Sequence, residues 1–99
     1  MSDPSANSPL VTHRLRVAGH VQGVGFRMYM ERTALAAGVT GWVRNRRDGT
    51  VEAIVQGAPA AVDRVIAWAR TGPPAGNVTA LRVEPADGHF DGFTVLPTA

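Results

Sequence analysis

The apolar residues of this chain switch repeatedly between a period of two and a period of about 3.6, and glycine or proline marks almost every switch. That pattern leaves few ways to pack. Leu15 and Val17 alternate with Arg14 and Arg16, which predicts a first strand over about residues 10–18. Phe26, Met30, Ala34 and Ala37 recur at helical spacing, predicting a helix from residue 24 or 25 to Ala37 with Gly38 as its stop. Strands follow over about 39–45 and 50–56, joined by Arg46-Arg47-Asp48-Gly49, whose Asp-Gly pair reads as a hairpin turn. Pro59 suits the first turn of a second helix reaching Arg70, with Val62, Val65, Ile66 and Ala69 as its apolar stripe. Gly72-Pro73-Pro74 ends it, and strands over about 77–84 and 92–96 complete the chain. The order is β-α-β-β-α-β plus a short terminal strand. Its simplest packing is an α+β sandwich, two helices on one face of an antiparallel sheet. A helix of about 12 residues is ~18 Å long, which matches a strand of five or six residues beside it.

A length of 99 residues allows one domain, and 44% apolar against 18% charged residues makes it globular rather than disordered. Residues 1–9 read as a flexible Ser/Pro/Asn/Asp-rich arm, and residues 10–97 as the domain. With no cysteine, disulfides, thiolate catalysis and Cys-ligated metal are excluded. No apolar run approaches the ~18 residues of a membrane span, and the start lacks a secretion signal. The expectation is a cytoplasmic monomer without membrane contact.

The net charge of +2 conceals an uneven distribution. All the basic residues are arginine; residues 13–47 carry seven of them against one Glu, whereas residues 48–99 carry three against six acids. The first half therefore suits an anionic partner. Arginine also allows bidentate contacts to flat oxyanions.

Gly19, Gly23, Gly25 and Arg27 cluster where the first strand hands over to the first helix. Glycines let successive N–H groups face one point, and a helix start adds unpaired N–H groups and a dipole equivalent to about +0.5 charge. Together these form an oxyanion nest. Arg27 falls in the first helical turn, where a cation opposes the dipole at a cost of a few tenths of a kcal/mol when exposed. An anion in the nest would offset that cost, with the Arg fork closing over two of its oxygens. A tight β–α connection with Arg27 merely on the surface accounts for the same spacing. The turn is neither a Walker loop nor a dinucleotide fingerprint. A second cluster is Trp42, Arg44, Asn45, Arg46 and Arg47. Asn45 carries a donor and an acceptor, so it can orient one water without being a base; it can equally cap the hairpin as an Asx turn. Trp42 reads as packing against a helix or neighbouring strand, and Met28 and Met30 as packing.

Taken as a string, Gly19-His20-Val21-Gln22-Gly23-Val24-Gly25-Phe26-Arg27 resembles the first motif of the acylphosphatase family. Gly41-Trp42-Val43-Arg44-Asn45-Arg46-Arg47-Asp48-Gly49-Thr50-Val51, with Gly57 after it, resembles the second; Gly72-Pro73-Pro74 and Gly92-Phe93-Thr94-Val95 are also similar. The resemblance spans about residues 10–97. It implies a ferredoxin-like sandwich that hydrolyses the carboxyl–phosphate bond of small acyl phosphates without metal or organic cofactor. It further implies that the loop Gly19, His20, Val21, Gln22, Gly23, Val24 and Gly25 binds the phosphate through backbone N–H groups. Arg27 matches the family's catalytic arginine and Asn45 its catalytic asparagine. In part of the family a chain-terminal carboxylate or a nearby residue restrains that arginine; here the sequence reads Leu96-Pro97-Thr98-Ala99.

His20 occupies a variable position of the first motif and reads as exposed loop. Three scattered histidines do not suggest a metal site. A nucleic-acid-binding module is the main competing reading, because this topology hosts many and residues 13–47 are basic. Against it, the chain has only six aromatics and no run suited to base stacking. An idle domain of a larger carbamoyl-phosphate-handling assembly is disfavoured by the short chain, by the missing Cys-rich zinc segment, and by the presence of both Arg27 and Asn45.

Overall fold

The computed structural model describes residues 9–99. The arm expected over residues 1–9 falls outside the described residues except for Pro9. Strand β1 is Val11–His20, helix α1 Phe26–Ala37, β2 Thr40–Asn45, β3 Val51–Gly57, helix α2 Pro59–Thr71, β4 Asn77–Pro85 and β5 Phe93–Val95. The expected order holds, with boundaries moved by one or two residues. The largest shift extends β1 to His20, because Gly19 and His20 stay paired with β4 through a register shift at Ala18/Gly19.

The sheet order is β4-β1-β3-β2-β5. The first four strands pair antiparallel, as expected for a ferredoxin-like sandwich. The sheet is not wholly antiparallel, however. The chain leaves β4 on one edge and reaches the opposite edge over residues 86–92, so β5 runs parallel to β2, with Gly41 opposite Phe93 and Val43 opposite Val95. No run of alternating residues announces that direction, since a strand of three residues carries almost no pattern.

The period of two sorts side chains onto two faces. Leu15, Val17, Val43, Val51, Ala53 and Val55 face the helices and are buried. They meet Phe26, Met30 and Ala34 of α1 and Val62, Val65, Ile66 and Ala69 of α2. Trp68 packs on Phe26, ring centroids 5.0 Å apart and planes inclined by 54°, a tilted arrangement that such rings favour. Met30 is fully buried, but Met28 is half exposed and does not pack in the core. Trp42, one residue from Val43, lies on the opposite, helix-free face, where the Arg44 guanidinium sits 4.8 Å from its ring centroid. Its packing against a helix is therefore corrected.

Candidate active site

The β1–α1 connection owes its path to glycine. A Cβ on Gly19 would lie 2.2 Å from the Asn77 carbonyl oxygen and 2.8 Å from the Thr79 nitrogen, so only glycine lets β1 and β4 approach so closely here. Gly23 and Gly25 have φ of 75° and 81°, the left-handed region that costs other residues about 1–2 kcal/mol. Those turns bring the chain round to the N-terminus of α1. Gly25 is the N-cap residue; it has no side chain to offer, and the first helical turn holds no acid. The first helical amide bond outside the helix proper is Tyr29 N–H to Gly25 O at 3.0 Å. Among the described residues, the amides from Val21 to Met28 donate to no backbone carbonyl. They form a patch of positive potential with no internal acceptor, the arrangement an oxyanion fills.

Gln22 fixes this turn against the β2–β3 hairpin. Its Nε2 donates to the carbonyl oxygens of Arg46 (2.7 Å) and Thr50 (2.9 Å). The hairpin itself is closed by Asp48, whose Oδ1 accepts from the Thr50 hydroxyl at 2.6 Å and the Thr50 amide at 2.9 Å. Those two bonds, hydroxyl first, lower the Asp48 carboxyl below its ordinary value of 3.8, with Arg16 and Arg46 adding smaller attraction. The far side of β2 is braced by the chain after β5. Ala99 N–H donates to Asn45 O (3.0 Å), and Arg47 N–H to Ala99 O (2.9 Å).

The parity of β2 now decides which polar residues reach the turn. Asn45 shares the parity of Val43 and lies toward the helices at the end of the strand; Arg44 and Arg46 point the other way and bind Glu52. A cleft of about 260 Å³ results, lined by Val21, Gly23, Gly25, Phe26, Arg27, Met28, Glu31, Asn45 and Val95. It unites Arg27, Asn45 and two glycines of the turn. Gly19 and His20 end β1, Gln22 turns its side chain to the hairpin, and Val24 packs its side chain against the core, so the cleft wall carries no side chain of these four. Among the described residues Arg27 has no carboxylate within 4.0 Å, and the chain's last residues are tied to the backbone of Asn45 and Arg47 instead.

Sequence reasoning missed Glu31, Met28 and Val95. Glu31 stands four residues after Arg27, a spacing that puts both on one helix face, so helical geometry was signal enough. Val95 reaches the cleft only through the parallel pairing of β5, for which no local signal exists.

Such a cleft can hold a small anion: helix-start amides, Arg27 and the amide-bearing Asn45 line it, with the Glu31 carboxylate and apolar side chains beside them. Comparison with known proteins gives the family of the chain. The acylphosphatase family model matches residues 13–95. An acylphosphatase of Azoarcus sp. is 49% identical over 98 residues, covering 96% of this chain and 98% of that protein. One from Aeropyrum pernix is 50% identical over 95 residues, covering 93% and 94%. The crystal structure of acylphosphatase from Bacillus subtilis superposes with a TM-score of 0.83 at 32% identity, covering 89% of this chain and 99% of that one.

Proposed function

The chain belongs to the acylphosphatase family and is a hydrolase of acyl phosphates, and from that premise we propose how its residues divide the work. The amides from Val21 to Met28 and the Arg27 guanidinium hold the phosphoryl oxygens of a small acyl phosphate. Asn45 orients the attacking water. The observation that carries this reading is that Arg27, Asn45, Gly23 and Gly25 line one cleft where the helix-start amides have no internal acceptor.

An acyl phosphate is a mixed anhydride whose carboxylate leaves readily, so strong acid catalysis is unnecessary. Water oxygen bonds to phosphorus as the bridging P–O bond breaks, and the carboxylate departs with the electron pair. Charge grows on the phosphoryl oxygens, where N–H donors and Arg27 stabilise it. The Asn45 side-chain oxygen accepts one hydrogen bond from the water and aims its lone pair at phosphorus, which lowers the entropic part of the barrier. Asparagine takes no proton at neutral pH; the water's proton passes to a phosphoryl oxygen of the substrate, giving dihydrogen phosphate. One chain supplies every group in this scheme, so we read the enzyme as a monomer, and we place it in the cytoplasm.

Hydrolysis of a small aromatic acyl phosphate in the presence of EDTA tests the assignment. The parent chain is expected to turn over. Arg27→Ala should lose phosphate affinity and rate together, whereas Asn45→Ala should lose mainly kcat, by about 10²–10³-fold as for other single transition-state contacts. Parent-like kcat and KM in either variant overturns the role of the residue replaced.

A further inference from the structure

The helix-free face of the sheet carries a row of charges that the hydrolytic cleft does not use. In register across four strands stand Arg82 of β4, Arg16 of β1, Glu52 of β3 and Arg44 of β2. Three cations in that row meet one anion. Glu52 is fully buried, and its carboxylate already accepts from Arg14, Arg44 and Arg46, the latter two at 2.9 Å. Three of its roughly four acceptor sites are therefore already taken by other arginines.

Arg16 is left over. Its terminal nitrogens reach Asp48 and Glu52 only at 3.7 and 4.0 Å, beyond hydrogen-bond distance, and its Nε is covered yet donates to nothing. Directly opposite on the neighbouring strand stands Arg82. Like charges so placed destabilise a pair of strands. Arg82 has one carboxylate near it, Glu84 at 3.7 Å, and stays largely exposed. Between these side chains lies a cavity of about 200 Å³, lined by Arg14, Arg16, Arg82 and Glu84. Three guanidinium groups and one carboxylate thus border a space large enough for a phosphate or diphosphate group.

We propose that this cavity is a second anion site, separate from the hydrolytic cleft, which takes a small phosphate-bearing anion bridging Arg16 and Arg82. Charge complementarity selects the occupant: a tetrahedral oxyanion accepts from both guanidinium forks at once and turns an unfavourable cross-strand pair into a favourable one. Free phosphate, diphosphate and the phosphate of a small monoester share that chemistry. The bordering carboxylate of Glu84 repels any anion, and the three guanidinium groups outweigh it in charge.

The test is an NMR titration of the full chain with inorganic phosphate, diphosphate and a phosphate monoester in separate arms, following the Nε–Hε signals of Arg16 and Arg82 and the backbone amides of β1 and β4. Saturable shifts are expected there, and they should persist in Arg27→Gln, which disables only the cleft. The strongest of the three arms identifies the source. Arg82→Gln and the double variant Arg16→Gln/Arg82→Gln should abolish these shifts while kcat/KM for acyl phosphate stays within about twofold of the parent. Arg82 is exposed, so its variant folds whatever becomes of Arg16. No saturation at millimolar anion overturns the proposal, as does loss of the β1 and β4 shifts in Arg27→Gln. A single-stranded oligonucleotide that binds this face when none of the small anions does also overturns it.

Discussion

Replacing Glu52 by Gln removes the one buried anion among the described residues of the helix-free face while keeping its shape. Arg14, Arg44 and Arg46 then lose their common acceptor, and Arg16 loses its attraction at 4.0 Å. Breaking a buried ion pair by deleting one partner costs about 3–5 kcal/mol, because the other charge is stranded. Here the arginine side chains are between a quarter and a half exposed (Arg44 27%, Arg14 42%), so water recovers part of the loss. The lower end, about 3 kcal/mol, follows. Against a total of about 5–15 kcal/mol for a domain, that is a large share. It corresponds to a fall in Tm of at least about 12 °C for a chain of this size. Urea denaturation of parent and variant measures it, with Glu84→Gln as control: that carboxylate is half exposed and pairs at 3.7 Å, so its loss is expected to cost under about 1 kcal/mol. A Glu52→Gln cost also under about 1 kcal/mol refutes the reasoning, since it would mean the arginines are as well solvated without the carboxylate as with it.

Further tests follow from the cleft and the hairpin. Gln22→Ala removes both tethers between the turn and the hairpin; kcat/KM is expected to fall about 10–100-fold through misplacement of the turn relative to Asn45, with a stability loss of about 1–2 kcal/mol, and parent-like kinetics counts against the tether. Asp48 titrates lower in the folded than in the unfolded chain, so it stabilises the fold above pH 3.8 and that contribution disappears as pH falls through its lowered value. Asp48→Asn should accordingly be less stable than the parent at neutral pH and converge with it in acid urea melts, and curves that stay parallel across that window contradict this. Hydrolysis in ¹⁸O-water should place the label in inorganic phosphate, and label in the carboxylate product would move the attack from phosphorus to the carbonyl carbon.

Why some of this was legible in the sequence and some was not has physical reasons. The elements were readable because Gly38, Asp48-Gly49, Pro59 and Gly72-Pro73-Pro74 each act on the backbone locally. Arg27 and Asn45 were readable as a pair only through the order and separation of two motifs, since their meeting in one cleft depends on strand parity and on Gln22 reaching Arg46 O and Thr50 O. Gly19 belongs to the same motif as the glycines of the turn, and its missing Cβ is what admits the contact with Asn77; nothing local separates a glycine needed for strand approach from one needed for a turn. Glu52 alternates with Val51 and Ala53 as a solvent-facing residue would, and its burial comes from three arginines on two other strands and the hairpin. The parallel course of β5, which delivers Val95 to the cleft, was invisible for the same reason: partner and direction are set by the path across the sheet.

The most direct measurement of the central assignment is a crystal structure with inorganic phosphate, the reaction product, bound. Phosphate oxygens should sit within hydrogen-bond distance of the Arg27 guanidinium and of amides between Val21 and Met28, with the Asn45 side chain facing the phosphorus from the open side. Phosphate excluded from this cleft at saturating concentration, or bound there with Asn45 turned away and more than one water's width distant, would contradict the assignment.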